Sequence, residues 1–228
     1  VTHTVTAAEV SAISTPITVT LPQSAISAAG EGAATITTTV TDSSGNVSPA
    51  ITTNVTIDTV APGTSPATPA SVSVPEATNG ISSSEASDGV EVLVTLPSDA
   101  VAGDVITVSI DGGTAVTHTV TAAEVSAIST PITVTLPQSA ISAAGEGAAT
   151  ITTTVTDSSG NVSPAITTNV TIDTVAPGTS PATPASVSVP EATNGISSSE
   201  ASDGVEVLVT LPSDAVAGDV ITVSIDGG

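Results

Sequence analysis

The chain has 228 residues, 22 of them acidic and none Lys or Arg, for a formal net charge of −22 with its two His neutral. It contains no Cys, Met, Phe, Trp or Tyr. These absences exclude a phosphate clamp, a nucleic-acid surface, a Schiff-base lysine, attraction to anionic membranes, disulfides and thiol chemistry.

Val1–Gly113 recurs unchanged as Val116–Gly228, a period of 115 residues. That is the size of a self-sufficient domain rather than of a solenoid unit. The strongest boundary signal is Asp58-Thr59-Val60-Ala61-Pro62-Gly63-Thr64-Ser65-Pro66, repeated from Asp173 to Pro181. Pro, Gly, Ser and Thr in such density mark a linker. On that phase, residues 1–57 form the C-terminal half of one bead. Residues 58–172 form a complete bead, with its linker at about 58–66. Residues 173–228 form a linker and the N-terminal half of the next. The chain opens inside a strand pattern with no visible leader, which points to an N-terminus further upstream. Half-beads at both ends fit either an excerpt of a longer array or subunits that complete each other by exchanging strands.

Within the complete bead, period-2 alternation predicts strands in chain order. The first carries Val72 and Val74. The second carries Val90, Val92, Val94 and Leu96, with Glu91 and Thr95 facing out. The third carries Ile106, Val108 and Ile110, and the fourth Val116, His118 and Val120. Thr121-Ala122-Ala123-Glu124 has capping-box spacing and predicts one short helical turn. The remaining strands carry Ile132, Val134 and Leu136, then Ala149, Ile151, Thr153 and Val155, then Ile166, Thr168, Val170 and Ile172. β-Branched residues suit strands. Seven short strands punctuated by turns predict an all-β chain of tandem immunoglobulin-like antiparallel β-sandwiches. The Cys and Trp landmarks of antibody domains are absent, so the core is Val, Ile, Leu and Ala alone.

Alternating strand directions sort the acids to two ends. Glu76, Glu85, Asp88, Asp111, Glu146 and Asp173 fall at the far end, from which the chain leaves the bead. Asp99, Asp104, Glu124 and Asp157 fall at the near end, facing the preceding bead, and only Glu91 lies within a strand. Carboxylates without a cationic partner would therefore crowd where beads meet. Such repulsion strains a junction unless a cation fills it, and oxygen-only ligands suit Ca²⁺. The candidate ligands are Asp58, Glu76, Asp88, Asp99, Asp111, Asp157, Asn161 and Asp173. The competing reading is that acids favour loops and keep the protein soluble. Asn79-Gly80-Ile81 with Glu85 has the wrong spacing for an EF-hand loop.

Val155-Thr156-Asp157-Ser158-Ser159-Gly160-Asn161-Val162-Ser163-Pro164, followed by Val170 through Pro177, resembles the end of bacterial Ig-like repeats. Val72 through Ala77, Leu96-Pro97 and Gly103 through Val108 resemble their beginning. Such repeats build Bap-like biofilm proteins and the extender regions of RTX-type giant adhesins. The resemblance covers the whole repeat. It implies secretion to the bacterial surface, long arrays of neighbouring identical repeats, and Ca²⁺ at or near the junctions. By position, Asp157 and Asn161 match the family's Asp-x-x-Gly-Asn turn and Asp173 its linker Asp. The segment Pro75–Asp88 carries fewer Asp than the family's corresponding turns.

His118 shares a face with Val116 and Val120 and reads as a structural residue of a half-buried strand. One His among many hydroxyls is no catalytic triad. Asn46, Asn54, Asn161 and Asn169 stand in glycosylation sequons, which arise by chance in a Thr-rich chain. Thr150, Thr152 and Thr154 form an outward row that fits a solvated sheet. The sequence thus predicts a non-enzymatic spacer or stalk of a long extracellular adhesin or filament, stiffened by Ca²⁺. Its alternatives are a surface- or glycan-binding module, disfavoured by the lack of aromatic stacking platforms, and a subunit polymerised by strand exchange.

Overall fold

The computed structural model describes residues 1–64, 66–68, 70–179, 181–193 and 195–225. Ser65 and Ser180 of the two linker motifs lie outside the described residues. Ahead of the complete bead come two helices, α1 (Ala7–Ser11) and α2 (Gln23–Ala29), and a hairpin of β1 (Gly32–Thr38) and β2 (Ile51–Ile57).

Seven strands then build a two-layer sandwich. In chain order they are β3 (Ser71–Ser73), β4 (Val90–Thr95), β5 (Val105–Ile110), β6 (Val116–Thr119), β7 (Ile132–Leu136), β8 (Gly147–Thr156) and β9 (Ile166–Ile172). One sheet has the order β3-β4-β7 and the other β6-β5-β8-β9, and every ladder is antiparallel. Neighbours distant in sequence, such as β4 with β7 and β5 with β8, make this the crossed connectivity of an immunoglobulin-like sandwich. The strands run alternately, so the loops segregate to two ends as the sequence predicts. The predicted fourth strand, β6, pairs only with β5 and forms one edge of the larger sheet.

The alternation is realised in the burial. Val90, Val92 and Val94 of one sheet and Ile106, Val108, Ile151 and Val155 of the other are fully buried, with Leu136 and Ile141 closing the core. Each such side chain contributes about 1.5–3 kcal/mol of transfer free energy relative to exposure. Glu91 faces out between them. Thr153 is an exception to the apolar core: it is fully buried and its hydroxyl oxygen has no partner among the described residues.

The helical turn expected after the fourth strand is accompanied by helices that the strand pattern does not show. The expected one is present as α4 (Ala122–Ser126), capped reciprocally by Thr121 and Glu124. A 3-10 helix (Pro75–Thr78) and α3 (Ser83–Asp88) fill the connection between β3 and β4, and α5 (Gln138–Ala144) joins β7 to β8. Ser82 and Glu85 form a second capping box. Pro137, with its fixed φ, precedes α5, and Gly145 ends it at φ 83°, where an L side chain is strained. Ala86 and Ile141 are the residues these helices bury. Beyond the bead, β10 (Ser186–Ser188) pairs with β11 (Leu208–Thr210), with a 3-10 helix (Pro190–Thr193) and α6 (Ser198–Asp203) between them.

Candidate metal centre at the junction

The near end of the sandwich is made by the β4–β5 loop, the β8–β9 loop and the incoming linker. The β8–β9 loop is a turn organised by Asp157. One carboxylate oxygen accepts the backbone N–H groups of Ser159 (2.9 Å) and Asn161 (2.9 Å). The other accepts the Asn161 side-chain amide at 2.8 Å. The same turn stands at Asp42–Asn46 in the first half, with the same bonds. It forms because an Asp side chain can satisfy backbone donors two and four residues on.

The turn also grips the linker. Ser159 Oγ donates to Asp58 Oδ2 at 2.9 Å, and the Asn161 amide donates to the Asp58 carbonyl at 3.1 Å. Five residues on, the Gly63 N–H donates to Asp99 Oδ1 at 2.9 Å. Asp58, Asp99, Asp157 and Asn161 are therefore brought to one place.

Within electrostatic reach of Asp58, Asp99 and Asp157 the structure adds a residue absent from the predicted ligands. Asp104, first after the β4–β5 turn, is 1 % exposed. Its Oδ2 accepts the Val101 N–H at 2.9 Å, while its Oδ1 is buried without a partner among the described residues. Burial pushes its pKa above the ordinary carboxylate range, against the Val101 hydrogen bond, and the negative charges of Asp157, Asp99 and Asp58 push it further. Burial also works against the Asp157 charge, but its Asn161 and Ser159 donors outweigh that and hold it below its ordinary value. A sequence signal for Asp104 existed in Asp99-Ala100-Val101-Ala102-Gly103-Asp104, two acids across a tight loop of small residues between strands.

The four other predicted ligands lie elsewhere. Glu76 sits at the far end, its carboxylate accepting the Glu91 N–H at 2.8 Å. Burial raises its pKa, and the Glu91, Glu85 and Asp88 charges add to that. Asp88 ends α3 and is exposed. Asp111 holds φ 46° in the β5–β6 turn, where its carboxylate accepts the Thr150 N–H at 2.7 Å. Asp173 is exposed at the exit, and its N–H donates to the Ile81 carbonyl. Among the described residues, no three His, Asp or Glu side chains stand close enough together to hold an ion as they are. The all-oxygen set around Asp104 nevertheless fits a hard cation chemically, because it offers anionic charge and one buried oxygen that lacks a donor.

Far-end acids also fix the linker. Glu146 accepts both the hydroxyl and the N–H of Thr174, and Glu31 does the same for Thr59. These bonds lower the pKa of both carboxylates, the hydroxyl bond contributing most. His118 pairs with Glu124 (Nε2 to Oε1, 2.9 Å) rather than with a hydroxyl nucleophile. A hollow between the β5–β6 turn and α5 is walled by Val116, Pro137, Ala140, Ala143 and Ala144, with Asp111 as the ionisable group on its rim.

No family model matches the chain. No curated protein matches it either. Similar solved structures are bacterial. A Ca²⁺-stabilized adhesin with which an Antarctic bacterium binds ice is 28 % identical over 80 % of this chain and 41 % of that one, at a TM-score of 0.38. A 1.5-MDa bacterial ice-binding adhesin is 25 % identical over 82 % of this chain and 55 % of that one, at 0.36. An immunoglobulin-like domain of the M. primoryensis ice-binding adhesin is 26 % identical over 46 % of this chain and 95 % of that one, at 0.29. The chain thus spans 41 % and 55 % of the first two structures. At these TM-scores the immunoglobulin-like assignment stands on the strand order itself.

Proposed function

We propose that the chain is a run of spacer beads from the stalk of a long extracellular bacterial adhesin or filament, divided at residues 57/58 and 172/173. Its role is mechanical and non-enzymatic. A cation, Ca²⁺ by its ligand chemistry, locks each junction. The bead's partners are the neighbouring copies of the same repeat.

The observation that carries this reading is the linker. A flexible tether would leave Asp58 to Gly63 free, but both ends of that segment are hydrogen-bonded to the following bead, through Asn161, Ser159 and Asp99. Glu31 ties Thr59 back to the preceding half. The joint is therefore specified by side chains of both beads. Asp104 explains the need for a cation: an ionised, buried carboxylate oxygen among three further acids is costly until a positive charge joins them. Asp58, Asp99, Asp104 and Asp157 would hold the ion, which would supply the charge and the missing partner of Asp104 Oδ1. The far-end acids lack that feature: among the described residues, none of their carboxylate oxygens is buried without a partner.

The test is thermal unfolding followed by far-UV circular dichroism, in millimolar Ca²⁺ and in chelator. An ion at a hundredfold its Kd stabilises by about 2.7 kcal/mol. The melting temperature should rise with Ca²⁺ in the native chain and stay fixed in Asp104→Asn. An unchanged native melting temperature would remove the cation from the proposal. Small-angle scattering on a longer array reads the spacer role separately: a rod-like profile supports it, and a flexible-chain profile refutes it.

A further inference from the structure

We propose that the bead is built to resist tension along the fibre through a shear clamp at Ile81. Chain enters the sandwich at the near end and leaves it at the far end, so any pull on the stalk acts along the strands. The first strand, β3, and the last, β9, lie in different sheets. Ile81 ties the segment that follows β3 to β9. The Ile81 N–H donates to the Thr171 carbonyl at 2.7 Å and the Asp173 N–H donates to the Ile81 carbonyl at 2.9 Å, an isolated parallel bridge centred on Ile172.

This bridge sits where load leaves the bead. Its two hydrogen bonds lie across the pulling axis, and the two strands are dragged in opposite senses along that axis. Both bonds must then fail together. A pull across the axis would instead open the β9 edge one bond at a time. The two bridged side chains are buried in the core: Ile81 is 0 % and Ile172 2 % exposed. Gly80, at φ 95°, lets the chain turn into β9. The bridge also covers part of the β9 edge, an otherwise unpaired row of donors and acceptors. The clamp takes its biological meaning from the spacer reading, but its mechanics do not depend on that reading or on the cation.

Forced unfolding is governed by the unfolding barrier, so direction of pull is the decisive variable. The chain has no Cys, so introduced ones are unique handles. Val60→Cys with Val175→Cys loads the bead along the strands. Thr114→Cys with Val175→Cys loads it between two far-end points and peels β9. Single-molecule pulling, in chelator, should give an unfolding force several-fold higher in the first geometry. Ile81→Pro, which removes the donor, should lower the axial force roughly two-fold or more if circular dichroism shows it folded. Equal forces in the two directions, or an unchanged axial force in a folded Ile81→Pro, would overturn the clamp. If that variant does not fold, the comparison of directions in the native core decides alone.

Discussion

Identical sequence takes two structures in this molecule. Ile132, Val134 and Leu136 form β7, which pairs with β4 at one edge of the smaller sheet, and all three are buried. Ile17, Val19 and Leu21, the same residues one repeat earlier, are in no strand and are 42 %, 48 % and 39 % exposed. Val105–Ile110 is β5, whereas the identical Val220–Ile225 is unpaired, with Ile225 78 % exposed. What survives in every copy is local: the Thr6 and Thr121 capping boxes, the Asp42 and Asp157 turns, and the β1–β2 hairpin that repeats β8–β9. What is lost is the pairing of β4 with β7 and β5 with β8, which joins the two halves of a bead. β8 itself shows the seam. Its last residues, Thr154–Thr156, pair with β5, and β1, which has no such neighbour, stops at Thr38. Strand propensity is therefore permissive here, and burial against the other half decides.

Hydrogen exchange should expose this contrast most strongly. Peptides covering Ile132–Leu136 and Ile17–Leu21 are indistinguishable in mass before labelling. After labelling they should split into two envelopes whose exchange rates differ by ~10³-fold, the span from open chain to a stable core. A single envelope would mean that both copies are folded alike.

Mutation comes next. Ile151→Ala should destabilise the sandwich by about 3 kcal/mol, whereas Ile36→Ala, at the matching place in β1, should leave its melting temperature within error. Comparable losses would show that the first half contributes a core of its own.

Asp104→Asn tests the same seam electrostatically. Its raised pKa means that folding favours the protonated acid. Its contribution to stability is full below the unfolded value near 4 and is lost as pH rises through the folded value. In chelator, the variant should therefore gain on the native chain as pH rises above the unfolded value near 4. Asp219→Asn, the same residue beyond β11, should gain nothing. A gain that grows toward acid would contradict the assignment. Glu124, Glu146 and Asp157 have the opposite sign: their depressed values give stability that is lost as pH falls through them.

The smallest effect concerns a contact both halves share. Glu31→Gln and Glu146→Gln each remove an exposed clamp on the linker. The Thr59 and Thr174 amides should exchange faster by the same modest factor, because each clamp joins the far end of one repeat to the linker that follows it. Unequal factors would make the clamp depend on the complete sandwich.

The sequence made the strands legible because Val and Ile recur at alternate positions and no aromatic or sulfur residue blurs the pattern. Loop ends follow from strand direction, which places Asp99 and Asp157 at the end that meets the linker of Asp58. The helices α3 and α5 were missed although Ser82 and Glu85 have the same spacing as Thr121 and Glu124. Their Ser- and Ala-rich segments lack the long apolar periodicity that marks a helix. Asp104 was placed at the right end but not among the ligands, because its burial depends on how the β4–β5 loop folds over Leu96 and Ala100. Glu76, Asp88, Asp111 and Asp173 stand apart from that centre because a sorting into two ends does not say which acids touch. Sequence periodicity reports faces, and contact between loops is a tertiary fact.

Two of the linker grips recur even where the strands do not. Glu31 on Thr59 and Asp99 on Gly63 return as Glu146 on Thr174 and Asp214 on Gly178. A single joint applied again and again without variation is a screw operation. A long array of such beads must then trace a helix of constant rise and twist, so one substitution in the repeat would re-pitch the whole filament rather than bend it at one place.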